Sequence, residues 1–296
     1  MNKVLSEHAA KPYFEFSRAI TRYYAKSFYF SAQFLPRDVR WATYAVYGFC
    51  RHADNIVDNP RLRTQSQIIA ELDSLCDELR IAWQTGESEN PALFSFVRVG
   101  RSVDMPIEYP LDLIEGVRMD LTKSRYNNFD ELYIFCYRVA SVVGLMMTYV
   151  LGFRDERALE YAEKMGIAMQ LTNILRDIEE DMQMGRIYIP INELQQFGIS
   201  PEDIINKNFS DNFKELMQFQ IRRARDYYQK ARPGVRMLDR SSRFAIYAAS
   251  SIYGKILDKI EENGCNPFLG RAFVPKSEKI SILFRELIKS KLNLNI

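Results

Sequence analysis

Apolar residues recur at three- and four-residue spacing along most of this 296-residue chain, and no segment alternates apolar with polar as a half-buried strand would. Ile68, Leu72, Leu75 and Leu79 show the rhythm most plainly. Glycines and prolines gather at segment ends, where they stop helices. The pattern predicts helices over residues 12–26, with a turn near Ser27, and from Pro36 through Asp58, stopped by Asn59-Pro60. Further helices are expected over 64–85, 92–101 and 111–121, with 86–90 a loop. A strong helix begins at 128–131, with Asp130 as its cap, and continues to about Leu151. The next runs unbroken from Glu156 through Asp181. A short extended piece follows at 187–190, and helices over 209–230, 243–262 and 278–291 complete the set. No internal repeat interrupts them, so residues 1–296 are expected to form one all-α domain.

Apolar residues make up 47% of the chain, enough for a sizeable core with volume left for a cavity. Net charge is +2 with the signs interspersed, which gives no footprint for nucleic acid. Cys50, Cys76, Cys136 and Cys265 lie far apart and read as free thiols in a reducing compartment. With only His8 and His52, a Ser-His-Asp triad or a multi-histidine zinc site is disfavoured. A metal here needs oxygen ligands, which points to Mg²⁺ or Mn²⁺. The first apolar run is broken by Glu7, His8 and Lys11, unlike a signal peptide. The uncharged run 139–153 is short for a bilayer span, contains Ser141 and Thr148, and reads as a buried helix. The expected location is cytoplasmic.

Two segments carry paired carboxylates: Arg51-His-Ala-Asp54-Asn-Ile-Val-Asp58, and Gln170-Leu-Thr-Asn173-Ile-Leu-Arg176-Asp177-Ile-Glu-Glu-Asp181. Aspartates four apart on a helix share one side, and their repulsion costs about 0.2–0.5 kcal/mol. A hard divalent cation offsets that cost and also takes phosphate oxygens. One such pair alone reads equally as a solvated acidic face. Two pairs, each with apolar neighbours and an arginine suited to phosphate, suggest facing walls of one cavity. Carboxylates, cations and arginines around a diphosphate serve to neutralise a leaving pyrophosphate. Aromatic walls can hold an isoprenoid cation without attacking it.

These segments, with Tyr47-Gly-Phe-Cys before Arg51 and Gly185-Arg186-Ile-Tyr-Ile-Pro190 after Asp181, resemble the squalene/phytoene synthase family. The likeness runs from Lys26-Ser27-Phe28 to Arg271-Ala-Phe-Val274. It implies a single-domain isoprenoid-synthase helical bundle with a central cavity. It also implies Mg²⁺-dependent head-to-head (1′–1) condensation of two prenyl diphosphates through a cyclopropylcarbinyl diphosphate. By position, Asp54, Asp58, Asp177 and Asp181, helped by Asn173, match the metal–diphosphate ligands. Lys26, Ser27, Tyr47, Arg51, Gln170, Arg176, Arg186, Tyr253 and Arg271 match substrate contacts. Each also has a plainer reading. Arg51 and Arg176 could balance the aspartates, Tyr47 and Gln170 could pack in the core, Lys26-Ser27 could end a helix, and Tyr253 and Arg271 could lie on the surface.

Arg118-Met-Asp120-Leu-Thr-Lys-Ser-Arg-Tyr-Asn-Asn-Phe-Asp-Glu-Leu-Tyr133 and Asn266-Pro-Phe-Leu-Gly-Arg-Ala-Phe-Val274 resemble the phytoene synthase branch, which implies geranylgeranyl diphosphate as substrate. Asp120 either adds to the acidic cavity or lies on the surface. Phe135 stands where the family often has Tyr, and Ser141 where it often has Gly. Ala140, Ser141 and Gly144, at helical spacing, allow either a channel or close helix packing. No reductase-like extension follows residue 296, which favours a product made without NADPH. The alternatives are a dehydrosqualene, squalene or presqualene diphosphate synthase using farnesyl diphosphate, or a noncatalytic assembly protein. Ile280, Leu283, Leu287 and Ile288, with Lys276, Lys279, Arg285, Lys289 and Lys291, suit the last helix either to docking on the domain or to peripheral contact with an anionic membrane.

Overall fold

The computed structural model describes residues 10–58 and 62–291, so the Asn59-Pro60 stop and the run 1–9 lie outside the described residues. Among the described residues there is no β-strand, only two isolated bridges. Fifteen α-helices follow in order: α1 (Lys11–Tyr24), α2 (Lys26–Ala32), α3 (Arg37–Asp58), α4 (Gln65–Thr85), α5 (Pro91–Ser102), α6 (Glu108–Thr122), α7 (Phe129–Cys136), α8 (Val142–Leu151), α9 (Arg157–Arg176), α10 (Ile178–Gln183), α11 (Ile191–Gln196), α12 (Pro201–Ile205), α13 (Asp211–Ala231), α14 (Arg240–Glu262) and α15 (Lys276–Lys291).

Local chemistry sets several boundaries. Thr64 and Gln67 form a reciprocal capping box at the start of α4, and Gly86 ends it with φ of 83°. Asn128, not Asp130, caps α7: its side chain accepts from the Glu131 N–H at 3.0 Å. Two predicted boundaries fail, and two short helices go unpredicted. The chain turns at Ala25 (φ −123°, ψ 63°), so Lys26 and Ser27 begin a helix rather than end one. The helix expected over 156–181 breaks at Asp177 (φ −109°, ψ 16°). The short helices α11 and α12 carry too few turns to give a periodic signal.

The buried residues form two clusters. The first joins α1, α3–α6 and α8, with Phe49 stacked on Phe96 at 4.2 Å. The second joins α7, α9, α13 and α14 with residues 187–204 and 265–274. Fully burying one such aromatic or leucine contributes about 1.5–3 kcal/mol. Tyr137 packs against both clusters. It opens a π-helical turn, Tyr137–Ser141, that joins α7 to α8. Glycines on both sides admit this wider turn: a Cβ on Gly166 of α9 would lie 2.4 Å from the Ser141 Cα, and one on Gly116 of α6 2.7 Å from the Arg138 Cβ. A Cβ on Gly144 would meet the Ala162 carbonyl oxygen at 2.9 Å, and the Ser141 hydroxyl donates to the Glu163 carbonyl at 2.8 Å. The small residues of this stretch therefore serve packing. The 129–151 helix has the length and apolarity of a membrane span, but half of its most apolar window is buried inside the protein.

Candidate active site

Tyr47, Arg51, Asp54 and Asp58 follow at intervals of four, three and four residues, so they share one face of α3. The other face is anchored in the first core by Val46, Phe49, Cys50, Ala53, Ile56 and Val57. Phe28 of α2 stacks on Tyr47 with ring centroids 5.5 Å apart. Arg51 donates from Nη1 to Asp58 Oδ2 at 3.3 Å, and its Cζ lies 4.4 Å from the centre of the Tyr24 ring. The Arg51 Nε–H is buried and has no hydrogen-bond partner among the described residues. Asp54 keeps some exposed surface, yet protein crowds it. Burial, then the charge of Asp58, pushes its carboxyl up to about 7 against the opposing pull of Arg51. Burial also pushes the Tyr47 hydroxyl up to about 12, so it stays a neutral phenol.

The second wall is assembled differently. Asp177 sits at the break between α9 and α10, where it accepts from Arg176 Nε at 2.7 Å and pairs with Arg271 Nε at 2.9 Å. Arg271 also reaches Glu180 at 3.5 Å. One turn earlier, Asn173 accepts from the Tyr253 hydroxyl at 3.1 Å and donates to Gln170 Oε1 at 3.2 Å. Burial, then the charges of Asp177 and Asp120, pushes Asp181 up to about 7, with Arg186 opposing.

Asp120 and Arg186 stand between the walls. Arg186 Nη1 lies 3.8 Å from Asp120 Oδ2, and the Tyr188 hydroxyl donates to Asp120 Oδ1 at 2.8 Å. Asp120 acts electrostatically on Asp54 as well as on Asp181, and Arg186 feels Asp58 and Asp181 alike. Tyr47 and Tyr253 likewise interact across the gap. Residues 187–191 are held beside 124–126 by Ile187 N–H to Ser124 O at 3.1 Å and Ile191 N–H to Tyr126 O at 2.8 Å. That extended strip projects Arg186 and Tyr188 to one side. A narrow, partly open pocket lies there, with Asp181 and Arg186 beside Ile174, Ile178, Ile187, Tyr188, Ile189 and Ile204.

Of the sequence-predicted residues, the two aspartate pairs, Tyr47, Arg51, Gln170, Asn173, Arg176, Arg186, Tyr253 and Arg271 gather around this gap. Lys26 stands exposed at the first turn of α2, two residues beyond Tyr24, and Ser27 follows it in the helix. Sequence reasoning left Asp120 open and missed Tyr24 and Tyr188. For Tyr188, the two-residue spacing from Arg186 on an extended piece was the available signal.

Among the described residues, no three His, Cys, Asp or Glu side chains converge into an all-protein metal cage. The arrangement suits Mg²⁺ nonetheless, since that ion binds through one or two carboxylates together with waters and substrate phosphates. All the candidate donors are hard oxygens, and two of the carboxylates are driven up to about 7 by burial and neighbouring negative charge, a strain that a cation relieves.

Residues 21–278 match the family model for squalene/phytoene synthase. The chain is 39% identical over 282 residues to the 15-cis-phytoene synthase of Synechococcus elongatus, covering 91% of each. It is 38% identical to that of Synechocystis sp., covering 91% of this chain and 83% of the relative. Its fold superposes on a crystal structure of a dehydrosqualene synthase with ligand at a TM-score of 0.89 and 27% identity, covering 96% of this chain and 98% of that one. With a helical fold, two facing aspartate pairs and this sequence likeness, the chain belongs to the squalene/phytoene synthase family and is a prenyltransferase.

Proposed function

We propose that this enzyme joins two geranylgeranyl diphosphates head to head (1′–1) into phytoene, through a cyclopropylcarbinyl diphosphate, with release of pyrophosphate. The observation that carries the reading is the pairing of α3 with the α9–α10 junction across Asp120 and Arg186, in a chain about 39% identical to a phytoene synthase. Residues 1–296 act as one domain, supported by Tyr137, which packs against both cores.

Asp54, Asp58, Asp177, Asp181 and the Asn173 amide would hold Mg²⁺ or Mn²⁺. When bound, that metal supplies the positive charge that stabilises a departing pyrophosphate. Arg51, Arg176, Arg186 and Arg271, with Lys26 and Ser27, take the diphosphate oxygens and orient the leaving group. Gln170 and Tyr253 fix the Asn173 amide from both sides. Tyr47 and Tyr253 bring aromatic faces to the developing allylic cation. A neutral phenol such as Tyr47 stabilises that cation, whereas a phenolate would capture it. The isoleucines beside Tyr188 give that end of the site apolar side chains. No step in this scheme calls for NADPH.

Incubation with Mg²⁺ and geranylgeranyl or farnesyl diphosphate, each with and without NADPH, tests the reading. Phytoene from geranylgeranyl diphosphate without NADPH is expected. Consumption of farnesyl diphosphate alone would replace it with a dehydrosqualene or squalene synthase, and no turnover at all would favour an assembly role.

The enzyme is cytoplasmic in this reading and rests peripherally on an anionic membrane through α15. Ile280, Phe284, Leu287 and Ile288 are exposed on that helix, while Leu283, expected among them, is turned into the domain. Lys276, Lys279, Arg285 and Lys289 flank the stripe. Sedimentation with anionic liposomes should be lost in a Phe284→Glu/Ile288→Glu variant; unchanged sedimentation rejects the contact.

A further inference from the structure

The first wall depends on a residue outside both aspartate segments. Tyr24 is the last residue of α1, directly before the turn at Ala25 that starts α2. Its ring lies under the Arg51 guanidinium, 4.4 Å from Cζ. Four residues later, Phe28 stacks on Tyr47, one turn before Arg51 on α3. The α1–α2 junction thus covers the N-terminal half of the face whose C-terminal half is Asp54 and Asp58.

Arg51 is held on two sides. Asp58 takes Nη1 at 3.3 Å, and Tyr24 supplies a flat surface to the guanidinium plane. The Nε–H meets no acceptor among the described residues although it is buried. A buried donor without a partner is costly, and a guanidinium fixed by a ring on one face and a carboxylate at one end presents that donor in a single orientation. An anion entering beside Asp54 and Asp58 would satisfy it.

We propose that Tyr24 is a positioning residue for diphosphate binding, acting through Arg51: its ring fixes the guanidinium so that the unpartnered Nε–H is presented to the substrate's diphosphate. The proposal rests on the reading of the site as a diphosphate site. The ring, not the hydroxyl, does the work, since a cation is attracted to the face of Phe or Trp as it is to Tyr. Tyr24 is 45% exposed, so replacing it leaves the core intact.

The test is binding of inorganic pyrophosphate with Mg²⁺ by calorimetry, together with KM and kcat. Tyr24→Phe and Tyr24→Trp should bind within about twofold of the native chain. Tyr24→Leu should bind about three- to thirty-fold more weakly, as expected for losing one cation–π contact, with the loss appearing in KM more than in kcat. In an Arg51→Met background, Tyr24→Leu should add no further loss. The proposal is overturned if Tyr24→Leu binds like the native chain, or if Tyr24→Phe is as weak as Tyr24→Leu, which would assign a hydroxyl contact. It is also overturned if the Leu loss persists without Arg51. A native chain that ignores Mg²⁺–pyrophosphate would instead overturn the site reading, and the Tyr24 role with it.

Discussion

The two aspartate pairs look alike in sequence and are built on opposite plans. Asp54 and Asp58 ride one unbroken helix, and their arginine, Arg51, comes from the same face of it. Asp177 and Asp181 straddle a break, and Asp177 is pinned by Arg176 beside it and by Arg271, 94 residues away. The first wall is a local object whose geometry follows from helical spacing. The second is a tertiary object whose geometry depends on distant chain being in place. A carboxylate strained by its neighbours and one neutralised by arginines respond differently to the same substitution.

The largest expected effect is common to both walls. Asp54→Asn and Asp177→Asn should each lower turnover by about 10²–10³-fold or more, since each removes charge aimed at the leaving group. Near-normal rates in either variant would remove that wall from the chemistry. Their stabilities should diverge. Asp177→Asn leaves the buried Arg176 without its carboxylate and Arg271 with Glu180 alone, and should cost about 1–3 kcal/mol in metal-free urea unfolding. Asp54→Asn removes a crowded charge and should leave the metal-free protein as stable or more so at pH 8; equal losses would erase the contrast.

Gly166→Ala probes the frame under the second wall. The added methyl would meet backbone at 2.4 Å, so a loss of about 1–3 kcal/mol is expected, seen as a lower melting temperature. A neutral result would mean that α9 shifts freely against the π turn.

The pH response gives a finer separation. Asp54 and Asp181 keep their protons up to about 7 in the native state but release them near 3.8 when unfolded. The native state therefore binds more protons between those values, and their contribution to stability falls as pH rises through that window. In metal-free melts from pH 5 to 8, Asp54→Asn or Asp181→Asn should flatten the decline relative to the native chain. An unchanged slope would show that neither carboxyl is strained. The smallest effect belongs to Arg271→Gln. Its side chain is half exposed, and a two- to tenfold rise in KM, on the order of one screened charge contact, is expected.

This contrast also explains what the sequence made legible. The Asp54–Asp58 pair with Arg51 beside it followed from spacing, because a helix turns periodicity into geometry, whereas Tyr47 on the same face came from the family likeness. The break at Asp177 did not, because Ile174, Leu175 and Ile178 keep a helical apolar rhythm across it while the backbone turns out of register. Asp120 could not be placed, because its partners Arg186 and Tyr188 lie far along the chain on a strip that has no helical period. The Lys26-Ser27 turn was misread for want of a breaker: Ala25 bends the chain without Gly or Pro. The family likeness supplied the site residues on the second wall that periodicity could not.

The π turn at Tyr137–Ser141, wedged between Gly116 and Gly166, has a consequence for how such an enzyme can diversify. A wedge with backbone on one side and no side chain on the other leaves no slack for α6, α7 and α9 to slide past one another. That frame carries the second wall on α9, and α3, which carries the first, packs on α6 and α8. A lineage on this scaffold would change the size of the molecule it grips by trading side chains along the gap, one residue at a time, and would leave the helices where they stand.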